Sequence, residues 1–452
     1  MSTLLTSHFY ERRSAFMAQC EKDSIFIIAA NTLLTRSNDT EYPFRQNSDF
    51  WYLTGFGEPD AYLILSNREL NDINDGKKQL TENIANHSAY IFVQPSDALA
   101  EIWHGRRLGV DRASKALMVD QAFSIDDLDE HLPDLLDGHK HLYYCFDTSP
   151  AIEATIQLAL KECRQAPKQS KTAPNSLHNA QELLHAMRLI KSEEELAIMQ
   201  KAADISSEAH ARAMSFSAAG KFEYQLEAEL HHEFAMSGAR YPAYGTIVGS
   251  GVNACILHYT ENKDELKDGD LVLIDAGCEL QGYAADITRT FPVNGKFSDV
   301  QRSLYQLVLD SQYAAINALR PDATISEAMK ICVRVLVEGL VELGILKGAV
   351  EANIEAETWR SYFMHGLGHW LGLDVHDVGI YKENGLDVPL RPGMVMTVEP
   401  GLYFSENADV DARYRGIGIR IEDNIVITDT GNRVLTDKVP KEIAGIEKLM
   451  SS

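Results

Sequence analysis

A carboxylate in the middle of a buried strand constrains a fold more than any apolar run. The stretch "LIDAGCELQGYAADITRTFPV" (273–293) carries two, Asp275 and Asp286. Its apolar and β-branched residues predict a buried hairpin, where an unpaired carboxylate costs several kcal/mol unless something compensates it. A two-residue turn at Leu280-Gln281 sets Asp275 directly opposite Asp286, both on one face, with Cys278 facing away. Like charges opposed in a sheet are destabilising, so a cation is expected between them.

The conflict recurs further along the chain. "GMVMTVEPGLYF" (393–404) places Val395, Thr397 and Glu399 on one face, and "GIGIRIEDNIVIT" (416–428) does the same with Arg420 and Glu422. Four acids thus interrupt four otherwise apolar strands, expected at 270–278, 283–293, 394–404 and 416–428. Between the pairs lies "MHGLGHWLGLDVHDVG" (364–379), with His365, His369 and His376 among glycines that permit close backbone approach. This is not the H-E-x-x-H zinc helix, because no glutamate lies between His365 and His369 and the glycines disfavour a helix.

Charge counting sharpens the reading. Four carboxylates balance two divalent cations, which at ~3.5 Å separation repel by about 20 kcal/mol at an effective dielectric of ~20. Bridging carboxylates offset that repulsion. Oxygen ligands with an imidazole suit Mn²⁺ first, then Co²⁺, Zn²⁺ or Fe²⁺, and a metal-bound water is a strong nucleophile at neutral pH.

The surrounding pattern is α+β. Capping boxes at Ser192/Glu195, Ser298/Gln301 and Thr324/Glu327 open helices, and Leu226, Leu230 and Phe234 line another that closes at Gly238. These alternate with antiparallel strands from about 186 to 452. Residues 1–185 instead mix short β-type runs ("DSIFIIAAN", "AYLILSN", "SAYIFVQP", "HLYYCFDTS") with helices, which predicts a separate mixed α/β domain. The polar stretch 165–179 reads as a linker.

Composition excludes several classes. A net charge of −24 argues against nucleic acid or an anionic membrane as partner. Six scattered cysteines without C-x-x-C spacing, no signal-type N-terminal segment and no membrane-length apolar run point to a cytoplasmic protein. "HHEF" (231–234), the glycine-rich "GSGVNA" (249–254) and the basic "RRLGVDR" (106–112) read as surface or structural features.

The order D-x10-D, H-G-x-G-H, V-E-P-G, R-I-E-D resembles the pita-bread metallopeptidases (family M24), the superfamily of methionine aminopeptidase, prolidase and aminopeptidase P. The resemblance covers about 186–440. "RSNDTEYPFRQNSDFWYLTGFGEPDAYLIL" (36–65) and "EIWHGRRLG" (101–109) are similar to the amino-terminal domain of the aminopeptidase P branch. It implies the metal ligands Asp275, Asp286, His369, Glu399 and Glu422, with Asp286 and Glu422 bridging both ions. It further implies catalytic roles for His258 and His376 at the substrate carbonyl and for Glu399 as proton carrier. His365, Tyr403 and Arg420 would surround the residue after the scissile bond, and Trp103 would close over the substrate.

The implied activity is removal of the N-terminal residue from peptides with proline second, by a metal-bridging hydroxide, in a homodimer or homotetramer. Prolidase, which shares the five ligands and whose bacterial members include organophosphorus hydrolases, is the alternative. A metal-free pita-bread binding protein is a further one, and its relatives lose the acids.

Overall fold

The computed structural model describes residues 4–68 and 86–451. It divides into two compact units, Leu4–Met187 and the chain from Arg188 onward.

The first unit is built on a six-stranded mixed sheet. Its order is Gln121–Ser124, Ser88–Val93, Tyr62–Ser66, Ser24–Ala29, His141–Tyr144, Ser176–Asn179. Ser24–Ala29 runs antiparallel to Tyr62–Ser66 and parallel to His141–Tyr144. It is buried nearly throughout, which explains its continuous apolar sequence. Ile25, Ile27 and Ile64 pack with Leu132, Leu136, Ile156 and Leu160 of the helices Leu128–Leu136 and Pro150–Gln165.

The expected linker at 165–179 is more ordered than its composition suggests. Ser176–Asn179 pairs in parallel with His141–Tyr144 as an edge strand. Polar side chains suit an edge, where one side has no partner strand.

In the second unit all three capping boxes form, opening Glu193–Phe216, Asp299–Ala318 and Ile325–Glu342. The helix Glu223–Met236 buries Leu226, Leu230 and Phe234 and is followed by Gly238 at φ +90°. Helices pack in pairs, Glu193–Phe216 with Glu223–Met236 and Asp299–Ala318 with Ile325–Glu342.

Each of the four long strands expected around the acids is broken in two. The pieces are Leu271–Asp275 and Cys278–Leu280, Tyr283–Ala284 and Thr288–Pro292, Val395–Val398 and Gly401–Phe404, and Ile417–Arg420 and Asp423–Ile427. Asp286, Glu399 and Glu422 lie in the breaks, and Asp275 ends its strand. Backbone amides at the breaks are redirected, since a buried N–H must find an acceptor. Glu399 N donates to Leu367 O at 2.8 Å, and Glu422 N to Thr288 O at 3.0 Å.

The hairpin turn also differs from expectation. Leu280 pairs with Tyr283, so the turn is Gln281-Gly282, with φ of +52° and +85°. Two positive φ values are what a two-residue hairpin of matching twist requires, and Gly282 meets that at little cost. Asp275 consequently opposes Thr288, not Asp286.

Candidate metal centre

The four breaks converge on one cleft of about 530 Å³. Asp275, Asp286, Glu399 and Glu422 line it with His258, His365, His369, His376, Arg420 and Tyr244. Although Asp275 and Asp286 are not cross-strand partners, they meet across Tyr244. Its hydroxyl lies 2.6 Å from Asp275 Oδ1 and 2.5 Å from Asp286 Oδ1. A phenol carries one proton, so it can donate to only one of them at a time.

Asp286, His369 and Glu422 each bring a ligand atom within 4.8 Å of the other two. His369 Nε2 is 3.4 Å from Asp286 Oδ2 and 3.6 Å from Glu399 Oε1. Its Nδ1 donates to Trp370 O at 3.0 Å, which leaves Nε2 facing the acids, protonated in the metal-free protein and free to ligate a cation once that proton is lost. The preceding residue must be glycine, because a Cβ at Gly368 would stand 2.0 Å from Thr397 O. Thr397 in turn accepts from His369 N at 3.0 Å and donates to Glu399 Oε1 at 3.3 Å.

Glu422 is held on one side only. Oε2 accepts from Thr288 Oγ1 at 2.6 Å, while Oε1 is buried without a partner. A buried carboxylate oxygen left unsatisfied and facing three other acids is the donor expected of a cation site. Asp275 Oδ2 accepts from Arg420 Nη2 at 2.6 Å, the one cation among the described residues that pairs with it.

The protonation equilibria register the same excess of negative charge. Burial, with Asp275 beside it, pushes Asp286 up to about 6. Burial pushes Glu399 up to about 7 against the opposing charges of His369 and Arg420. Burial and the neighbouring acids Asp286, Glu399 and Asp275 lift Glu422 well above the usual carboxylate range. Burial disfavours the charged form of His369, yet its bond to Asp286 and the charges of Asp286 and Glu399 prevail and raise it to about 9. Hard oxygen donors and one imidazole, short of positive charge, fit divalent Mn, Co, Zn or Fe.

Around this centre, His376 presents its ring 4.3 Å from that of His369, centroid to centroid. His258 and His376 are both exposed in the cleft. His365 Nε2 lies 2.9 Å from Tyr403 OH, which accepts from Arg420 Nη1 at 3.0 Å. Burial and nearby Arg420 lower His365 to about 4, so its imidazole is neutral at physiological pH. Trp103 sits on the helix Ala98–His104 of the first unit and is 84% exposed. Tyr244, Thr288 and Thr397 were not singled out from the sequence. Tyr244 and Thr288 act on residues far away in the chain that no local pattern marks; Thr397 shares the strand face of Glu399, but its bond to His369 N spans 28 residues.

Acids at strand breaks, a histidine among them and an open cleft define a metallohydrolase. The profile of metallopeptidase family M24 matches residues 197–429, and that of the aminopeptidase P N-terminal domain matches 9–143. The chain belongs to metallopeptidase family M24, an enzyme family dependent on divalent metal. It is 49% identical to an Xaa-Pro aminopeptidase of Escherichia coli over 450 residues, 100% of this chain and 99% of the relative. An Xaa-Pro aminopeptidase of Haemophilus influenzae is 47% identical over 451 residues, again 100% of this chain and 99% of that one. Zn-substituted E. coli aminopeptidase P in complex with product superposes with a TM-score of 0.93 at 49% identity, covering 99% of this chain and 98% of that one.

Proposed function

We propose that this chain is an Xaa-Pro aminopeptidase that releases the N-terminal residue from peptides with proline in the second position. The observation that carries the reading is full-length similarity to such enzymes, both domains included, joined to a cleft that retains every acid and histidine the chemistry needs. Prolidase is not favoured, because the curated relatives matched end to end are aminopeptidases. A metal-free binding role is disfavoured by the retention of all four acids.

Asp275, Asp286, His369, Glu399 and Glu422 would hold two divalent ions, Mn²⁺ by preference. When bound, such ions polarise a carbonyl and lower the pKa of water. The protein's own groups do the rest. An Xaa-Pro bond has no N–H, so a strand-type hydrogen bond cannot read it and the site must recognise shape. His365, Tyr403 and Arg420, tied to one another, form a fixed wall suited to the residue after the scissile bond. His258 and His376 donate to the substrate carbonyl oxygen as negative charge develops on it. Glu399, beside the reacting atoms, would take a proton from the attacking water and deliver it to the departing proline nitrogen.

The same reading places the enzyme in the cytoplasm, as a homodimer or homotetramer acting on peptides and not on nucleic acid or membranes. Six free cysteines support a reducing compartment. No helix among the described residues is long and apolar enough to cross a membrane. The test is hydrolysis of Arg-Pro-Pro against Ala-Pro after chelation and then with Mn²⁺ restored. Mn²⁺-dependent loss of the single N-terminal arginine is the expected result, and cleavage of the dipeptide alone would overturn the assignment in favour of prolidase.

A further inference from the structure

His258 reaches the cleft from a segment with little regular structure, Gly251 to Asp264, whose only helical turn is Gly251–Cys255. Its imidazole makes no hydrogen bond to the described residues, so its position depends on the backbone that carries it. That backbone is held from beneath. The next residue, Tyr259, points inward, and its hydroxyl donates to Glu223 Oε2 at 2.8 Å.

Glu223 opens the helix Glu223–Met236 and is fully buried. No cation pairs with it among the described residues. Its charge is met instead by donors from the His258 segment and the strand before it. Ser250 N and Asn253 Nδ2 donate to Oε1 at 2.7 and 3.0 Å, and Tyr259 OH and Asp264 N donate to Oε2 at 2.8 and 2.9 Å. The amide of Glu223 donates back to Asp264 O at 3.0 Å. One helical turn on, Glu227 Oε2 accepts from Asn262 Nδ2 at 3.0 Å, and Asn262 also bonds Thr246 O and Val248 N. One helix face therefore grips the segment on both sides of His258.

We propose that Glu223 is a positioning residue that acts through His258, fixing the segment so that the imidazole meets the substrate carbonyl oxygen in the transition state. The proposal rests on the reading of His258 as a donor to that oxygen. A charged acceptor taking four donors is stronger and more directional than a neutral one. An amide at this position would turn an NH₂ toward two of those donors. A displacement of about 1 Å at a catalytic group lowers rate by ~100-fold.

The test compares Glu223→Gln, Tyr259→Phe and His258→Ala, singly and as the Glu223→Gln/His258→Ala double variant, on an Xaa-Pro tripeptide with Mn²⁺. Glu223→Gln is expected to lower kcat at least ~10-fold with KM within ~2-fold, the pattern of a contact made in the transition state. Tyr259→Phe, the milder change, should shift kcat the same way by several-fold. Metal content should stay at the wild-type level in both, and the double variant should be no slower than His258→Ala alone.

Losses that multiply in the double variant, or loss of metal in Glu223→Gln, would overturn the positioning role while leaving that of His258 standing. Should Glu223→Gln not fold, the double variant is made with Tyr259→Phe and read by the same criteria. Full activity in His258→Ala would sink the reading of His258, and the role of Glu223 with it.

Discussion

Arg420 and Asp275 form a partly buried ion pair, Nη2 to Oδ2 at 2.6 Å, at the ends of strands that are far apart in sequence. The same guanidinium donates through Nε to Thr288 Oγ1 at 3.1 Å and through Nη1 to Tyr403 OH at 3.0 Å. Arg420 thus fixes one oxygen of Asp275 and links it to the wall formed with His365.

Replacing Arg420 by lysine keeps the charge but loses this three-way geometry. Metal affinity should fall ~10–100-fold, the usual cost of losing a group that orients a ligand. Calorimetric titration of the chelated protein with Mn²⁺ measures it, and unchanged affinity would show that Asp275 needs no such support.

Metal binding should strengthen with pH across the range in which the acids titrate. Asp286 at about 6 and Glu399 at about 7 must shed their protons to bind a cation. His369, raised to about 9, must also lose its proton, so affinity for Mn²⁺ is expected to rise from about pH 5.5 to about pH 9, the window set by those three values. For the metal-free protein the sign is opposite. Unfolded carboxylates titrate near ~4, so between there and ~7 the folded chain holds protons that the unfolded chain has released. Their contribution to stability is then present at low pH and declines as pH rises through that window. Thermal melts of the chelated protein across pH, against Glu399→Gln, isolate the effect.

Glu422→Gln should separate stability from function. It removes a buried acid held well above its ordinary range by burial and the neighbouring acids, so the metal-free protein should melt higher by a few degrees, about what 1–2 kcal/mol gives in a domain of this size. Metal binding and activity should fall together, with kcat down by at least ~100-fold. A lower melting temperature with metal absent would refute the electrostatic account of this residue.

Gly368→Ala tests the packing behind His369. The new Cβ would stand 2.0 Å from a backbone oxygen, so the strand or the histidine segment must move. Overpacking of this kind costs ~1–3 kcal/mol. The variant should melt lower and bind metal more weakly, and a variant that does neither would mean the segment has slack.

Much of this architecture was legible in the sequence. The capping boxes are local signals, and all three helices begin where they predict. The acids stood out because they contradict the apolar strands that carry them. The strand breaks were not legible, because the amides of Glu399 and Glu422 are satisfied by Leu367 and Thr288, residues distant in sequence. The turn was legible in part. Gln281-Gly282 carries the glycine a tight hairpin needs, but a pairing that opposes Asp275 with Asp286 puts the turn one residue early. What brings the two acids together is Tyr244, across the sheet, which neither periodicity nor motif spacing reveals.

The central claim is that divalent ions compensate four acids gathered at four strand breaks. It is tested most directly by chelating the protein, titrating it with Mn²⁺ and counting bound ions by calorimetry and elemental analysis. Two ions per chain are expected in the wild-type protein, with Asp286→Asn and Glu422→Gln binding fewer. Zero ions bound at millimolar Mn²⁺, Co²⁺ and Zn²⁺ by a folded wild-type chain would contradict the claim.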